Sequence, residues 1–69
     1  MSSDQGPADL KRMYRIFKFI QLLSAPPYYK VVDLAQRLDV SKKTVYNYIN
    51  LLEEVGFQLD KNEHDQYFL

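Results

Sequence analysis

Apolar residues recur at helical spacing through three stretches of the chain and at alternate positions near its end. Val31, Leu34, Ala35 and Leu38 fall at i, i+3, i+4 and i+7, one face of a short helix. Val45, Tyr48, Ile49, Leu52 and Val55 mark one face of a longer helix that Ser41 opens and Gly56 closes. Between the two lie only Asp39 and Val40. Asp tolerates the positive φ that so tight a turn demands, and Val40 reads as an inward plug. Ser41 is an N-cap acceptor for the free backbone N–H groups that follow it. Gly56 suits a left-handed residue that releases the chain. Two helices joined by so short a link form a helix-turn-helix pattern.

An earlier helix is predicted over about 10–23, with Asp9 as its cap and Pro26-Pro27 preventing its continuation. At about 100° per residue, Met13, Ile16, Phe17, Ile20 and Leu23 share one wide face with Leu10 at its edge. Lys11, Arg12, Arg15 and Lys18 share the opposite arc, and Phe19 and Leu22 fall inside it, either as a surface that a partner covers or as scattered exposed apolars. Tyr28 and Tyr29 cover the gap between helices or form a short edge strand. The second helix starts without a side-chain acceptor, because Lys30 offers none. Ala35 is small enough to let the second and third helices cross closely. After Gly56, Phe57-Gln58-Leu59 and Gln66-Tyr67-Phe68-Leu69 flank the turn-prone segment 60–65, which reads as a β-hairpin. Phe57, Leu59, Tyr67 and Leu69 are its candidates for packing onto the helices. The expected fold is mainly α with a small β-hairpin, a three-helix winged helix-turn-helix over residues 9–69. Residues 1–8 read as a flexible tail.

Composition narrows the function. Sixty-nine residues form one domain at most, and without Cys there is neither a disulfide staple nor a thiolate metal site. No apolar run approaches the ~20 residues of a membrane span, and the N-terminus lacks a signal-peptide pattern, so a cytoplasmic protein is expected. One His, no Gly-rich phosphate loop and no recognisable acid pair argue against an enzyme, a metal site or a cofactor. His64, the lone histidine, reads as a turn residue.

The chain has a formal net charge of zero, unevenly distributed. Residues 10–48 hold Lys11, Arg12, Arg15, Lys18, Lys30, Arg37, Lys42 and Lys43 against Asp33 and Asp39, whereas acids dominate on either side of that block. Such asymmetry steers a polyanion to one face. With Val45, Ile49 and Leu52 inward, Lys43, Asn47 and Asn50 lie along an outward stripe of the third helix, flanked by Lys42 and Tyr46. An Asn amide donates and accepts at once and so matches an adenine edge in the major groove. Lys42 and Lys43 suit guanine or phosphate, and the Ser41 and Thr44 hydroxyls at the helix start suit a phosphate oxygen. Tyr46 reaches a phosphate or a thymine methyl. Arg12, Arg15 and Lys18 would touch the DNA backbone beside the groove, or simply serve solubility.

At Leu34-Ala35, Leu38, Val40-Ser41, Thr44-Val45, Ile49 and residues 52–57 the sequence resembles the winged helix-turn-helix found at the N-terminus of bacterial transcription regulators, including the DeoR-like and WYL-domain groups. The resemblance runs over about 10–69 and is most specific over 34–57. It implies sequence-specific binding to double-stranded DNA, with the third helix in the major groove, a homodimer, and a C-terminal effector domain following the DNA-reading module. Three positions depart from the pattern. Asn47 stands where Arg is common, Asp39 where Gly is usual, and the wing tip over 61–65 is acidic. The first two imply weak binding by a single copy, and the third argues against the wing tip as a DNA contact. The chain stops at Tyr67-Phe68-Leu69, inside the second wing strand, which adds to the expectation of a longer regulator. The rival class is a winged helix for protein–protein contact, with RNA binding third. Salt-dependent DNA retention separates the first two.

Overall fold

The computed structural model describes residues 7–69. Helix α1 spans Pro7–Ser24, α2 Val31–Leu38 and α3 Lys42–Glu54, followed by strands β1 (Asp60–Lys61) and β2 (Tyr67–Phe68). The strands pair antiparallel, Asp60 opposite Phe68 and Lys61 opposite Tyr67. Three helices and this hairpin make a winged helix-turn-helix, as the periodicities predict. Residues 1–6 of the expected tail lie outside the described residues.

Helix α1 begins earlier than expected. Pro7 occupies its first position, where the missing N–H costs nothing, and Asp9 falls in the first turn rather than at the cap. A carboxylate there still meets the positive end of the helix dipole. At the other end the Ser24 hydroxyl donates to the Ile20 carbonyl at 2.6 Å, and the prolines prevent extension.

The inward face of α1 is not the one the wheel suggests. Phe19 is 0% exposed and sits with Leu23, Leu34 and Val45 among the largest fully buried side chains. Its ring lies 5.9 Å from that of Tyr48 on α3. Leu22, Ile16 and Ile20 are partly buried against this core. Phe17, by contrast, is 64% exposed, and Leu10 and Met13 are exposed too. Between the expected and observed inward faces the helix is rotated by roughly 80° about its axis. The cause is that 16–23 is apolar on nearly every side, so periodicity alone allows two faces. The Phe19–Tyr48 contact is compatible with one of them. Phe19 and Leu22 are therefore core residues and do not form a partner surface.

The α2–α3 unit follows the sequence closely. Val31, Leu34, Ala35 and Leu38 are all buried, as are Val45, Tyr48, Ile49 and Leu52. Asp39 adopts the left-handed conformation (φ 57°, ψ 49°), and the Val40 N–H donates to the Ala35 carbonyl at 3.0 Å. Val40 packs half-buried against the core. Helix α3 ends at Glu54, and Gly56 at φ 109° turns the chain so that the Phe57 N–H bonds the Leu52 carbonyl at 3.0 Å. Val55, expected inward, lies beyond the last helical turn and is exposed.

In the hairpin the first strand begins after Leu59 rather than at Phe57. Asn62 sets the register. Its side-chain carbonyl accepts from the His64 and Gln66 N–H groups at 2.9 and 3.0 Å, and its own N–H donates to the Gln66 carbonyl at 3.0 Å. Asp65 closes the turn at φ 61°. Leu59 and Tyr67 pack on the core as expected, but Phe57 and Leu69 are exposed. Leu69 instead ties the wing to α1 through its N–H, bonded to the Leu23 carbonyl at 3.0 Å. Tyr29 forms an isolated bridge with Tyr67, and Tyr28 packs its ring 5.2 Å from that of Phe68. Among the described residues no helix is long and apolar enough to cross a membrane.

Candidate nucleic-acid interface

Helix α3 opens on a built cap. Ser41 is extended (φ −78°, ψ 162°), and its side-chain oxygen accepts from the Thr44 N–H at 3.1 Å. The Ser41 and Thr44 hydroxyls lie 3.1 Å apart. One of their two hydroxyl protons makes that mutual bond, which leaves the other free to donate outward. The cap thus joins a fixed helix start to a free O–H, a combination suited to an anionic oxygen.

From this cap Lys42, Lys43, Tyr46, Asn47 and Asn50 all project from the exposed side of α3, and Thr44 is half-buried. Val45, Ile49 and Leu52 lock the opposite side into the core, which fixes the helix rotation and therefore the direction of each exposed residue. The stripe of two amides and two ammonium groups is held on a rigid element.

Two cationic residues near this stripe escape sequence reasoning. A cleft of about 310 Å³ is lined by Lys30, Val31, Val32, Lys42, Tyr46, Lys61, Asp65 and Tyr67. Lys30 precedes α2, Lys42 opens α3 and Lys61 belongs to the wing, so three separate elements each bring an ammonium group. Pairing explains the convergence: Lys61 lies opposite Tyr67, and Tyr67 donates its N–H to the Tyr29 carbonyl at 3.0 Å, next to Lys30. No local signal in the sequence links these positions. Lys61 Nζ stands 3.7 Å from Asp65, an exposed pair of small energetic weight. Although the wing tip is acidic, Lys61 of its first strand lines the same cleft as Lys42 and Tyr46 of α3, with its Nζ 5.8 Å from the centre of the Tyr67 ring.

Arg37 packs its guanidinium 4.1 Å from the centre of the Tyr29 ring, joining α2 to the segment that carries the wing. Arg15 and Lys18 are half-buried on α1 and line a groove with Lys11 and Arg37 rather than joining the α3 stripe. Among the described residues no group of His, Cys, Asp and Glu could hold a metal ion.

Three helices, a tight turn with a left-handed Asp39, a capped and polar third helix, and a bridged hairpin define a helix-turn-helix module. The profile of a family described as an HTH domain matches residues 15–64, and the chain belongs to that family. Among curated proteins it is similar to the HTH-type transcriptional regulator KdgR of Dickeya chrysanthemi, 26% identical over 66 residues, covering 96% of this chain and 22% of that protein. The HTH-type transcriptional regulator KdgR of Escherichia coli (strain K12) is likewise 26% identical over 66 residues, with 25% of its length covered. The chain therefore spans about a quarter of the length of these relatives. No solved structure matches it significantly.

Proposed function

We propose that this chain is the sequence-specific, double-stranded-DNA-reading module of a bacterial transcription regulator, with α3 lying in the major groove. The observation that carries the reading is the exposed stripe of Lys42, Lys43, Tyr46, Asn47 and Asn50 on a helix whose other side is locked by buried Val45, Ile49 and Leu52. In this reading Asn47 and Asn50 address base edges, and each well-placed bidentate amide discriminates by about 1–3 kcal/mol. Lys43 serves guanine or phosphate. Lys42, with Lys30 and Lys61 around their shared cleft, holds the sugar–phosphate backbone, and the Ser41–Thr44 cap donates to a phosphate oxygen. The wing contributes through Lys61, not through its acidic tip.

A single module of this size makes few contacts. Two copies on half-sites one helical turn apart, roughly 34 Å, would multiply both affinity and specificity. The reading therefore includes a homodimer, with pairing and effector sensing supplied by a C-terminal domain. The greater length of the two relatives supports that arrangement.

The test is the salt dependence of duplex binding. For the Lys42→Ala/Lys43→Ala variant, affinity for every duplex should fall and the slope of log K against log salt should flatten by roughly 1.8, about 0.9 for each phosphate left unneutralised. A double variant that binds as the parent does, with the same slope, would remove α3 from the interface.

A further inference from the structure

The face of α1 turned away from the core is apolar. Leu10 (54% exposed), Tyr14 (63%) and Phe17 (64%) run along it at i, i+4 and i+7, and Gln21 continues the line. From Leu10 to Gln21 the stripe is roughly 16 Å long, the length of about three helical turns. A groove of about 470 Å³ lies along it, lined by Tyr14, Phe17, Lys18, Ile20 and Gln21. Directly beside it, sharing Tyr14 and Lys18, is a second groove of about 300 Å³ between α1 and the end of α2. Lys11, Arg15, Lys18 and Arg37 supply four cations there against Asp39 alone. Among the described residues neither Lys11 nor Arg15 is paired with an acid. Lys18 and Arg37 are held over tyrosine rings, at 5.8 Å from Tyr14 and 4.1 Å from Tyr29.

From this juxtaposition we propose that α1 is a docking surface for an acidic amphipathic helix of a protein partner. Its apolar ridge would lie on Leu10, Tyr14 and Phe17, and its carboxylates on the Lys11–Arg15–Lys18–Arg37 flank. DNA satisfies the cations but leaves two exposed aromatic rings in water, so the apolar half of the surface goes unused. A second copy of this chain is disfavoured by its own charges. In a two-fold antiparallel pair of α1 helices each flank faces its own counterpart, which sets Lys11, Arg15 and Lys18 against the same three residues. A partner with acids along one side of a leucine stripe meets both grooves in one orientation. Neither groove is lined by a residue of α3, so the partner and DNA would use different residues.

The test uses a fluorescein-labelled synthetic helix with a leucine stripe flanked by glutamates, its lysine-for-glutamate counterpart, and anisotropy titration with the whole chain. The glutamate helix should bind, and more weakly as salt rises. Phe17→Ser, at an exposed position where truncation should shift the melting temperature by no more than ~4 °C, should weaken it roughly tenfold, as loss of an aromatic anchor does. Lys11→Glu/Arg15→Glu should weaken it at least as much, and this variant alone should bind the lysine helix. Lys42→Ala/Lys43→Ala should bind the glutamate helix as the parent does, which separates this surface from DNA reading. The proposal is overturned if the glutamate helix fails to bind, if it binds all these variants alike, or if short duplex DNA displaces it. Sedimentation giving a parent dimer that Phe17→Ser dissolves would overturn it too, because a second copy would then own the face.

Discussion

Phe19→Ala measures whether α1 is rotated as described. Phe19 is completely buried, and a Phe truncated to Ala in a core costs about 3–5 kcal/mol in transfer energy and residual cavity. A domain of 69 residues has roughly 4–10 kcal/mol of total stability, so that loss is a third of it or more. At about 4–8 °C per kcal/mol, the melting temperature should fall by at least ~12 °C, and the variant could be unfolded at room temperature. The paired substitution is Phe17→Ala, two residues away and of the same chemistry but largely exposed. Its cost should stay within about 0.5 kcal/mol, a shift of no more than ~4 °C. Thermal and urea unfolding followed by circular dichroism at the helix band give both values. Phe19→Leu provides a milder member of the series should Phe19→Ala not fold. Equal losses at the two positions, or a larger loss at Phe17, would refute the assigned face and with it the exposed stripe on α1.

Two further substitutions probe the helix-turn-helix itself. Ala35→Leu should lower stability by about 1–3 kcal/mol, because Ala35 is buried and a larger side chain there overpacks the α2–α3 core; an unchanged melting temperature would mean that the two helices do not cross there. Asp39→Val should cost about 1–2 kcal/mol by forcing a β-branched residue to positive φ, whereas Asp39→Gly should be neutral or stabilising, and equal melting of the two variants would contradict the left-handed turn.

Much of the molecule is legible in its sequence because α2 and α3 each have one apolar face and clear punctuation. Val31, Leu34, Ala35 and Leu38 admit a single inward face, and Ser41, Asp39 and Gly56 adopt backbone conformations that these residue types favour. Helix α1 defeats the same reasoning. Ile16, Phe17, Phe19, Ile20, Leu22 and Leu23 surround its axis, so the basic arc is the only guide to its face, and it points the wrong way. Half-buried Arg15 and Lys18 explain why: long cationic side chains cover apolar surface with their stems and leave only the head in water. Phe57 and Leu69 fail for a different reason, since a short hairpin covers only part of what an alternating pattern offers, and Val55 fails because α3 ends one residue before it. On the α3 face, the exposed residues follow from periodicity alone, but Lys30 and Lys61 reach Lys42 only through pairing among Tyr29, Tyr67 and Lys61. Long-range register of that kind leaves no trace in local sequence.

Base reading by α3 is put to the test by selection from a random duplex pool. The parent chain should enrich a short common motif containing adenine. Asn47→Ala and Asn50→Ala should each relax preference at one or two adjacent positions, a loss of roughly 1–3 kcal/mol in discrimination, while the remaining positions hold. Enrichment of the same motif with unchanged preferences by both variants would contradict base reading by α3.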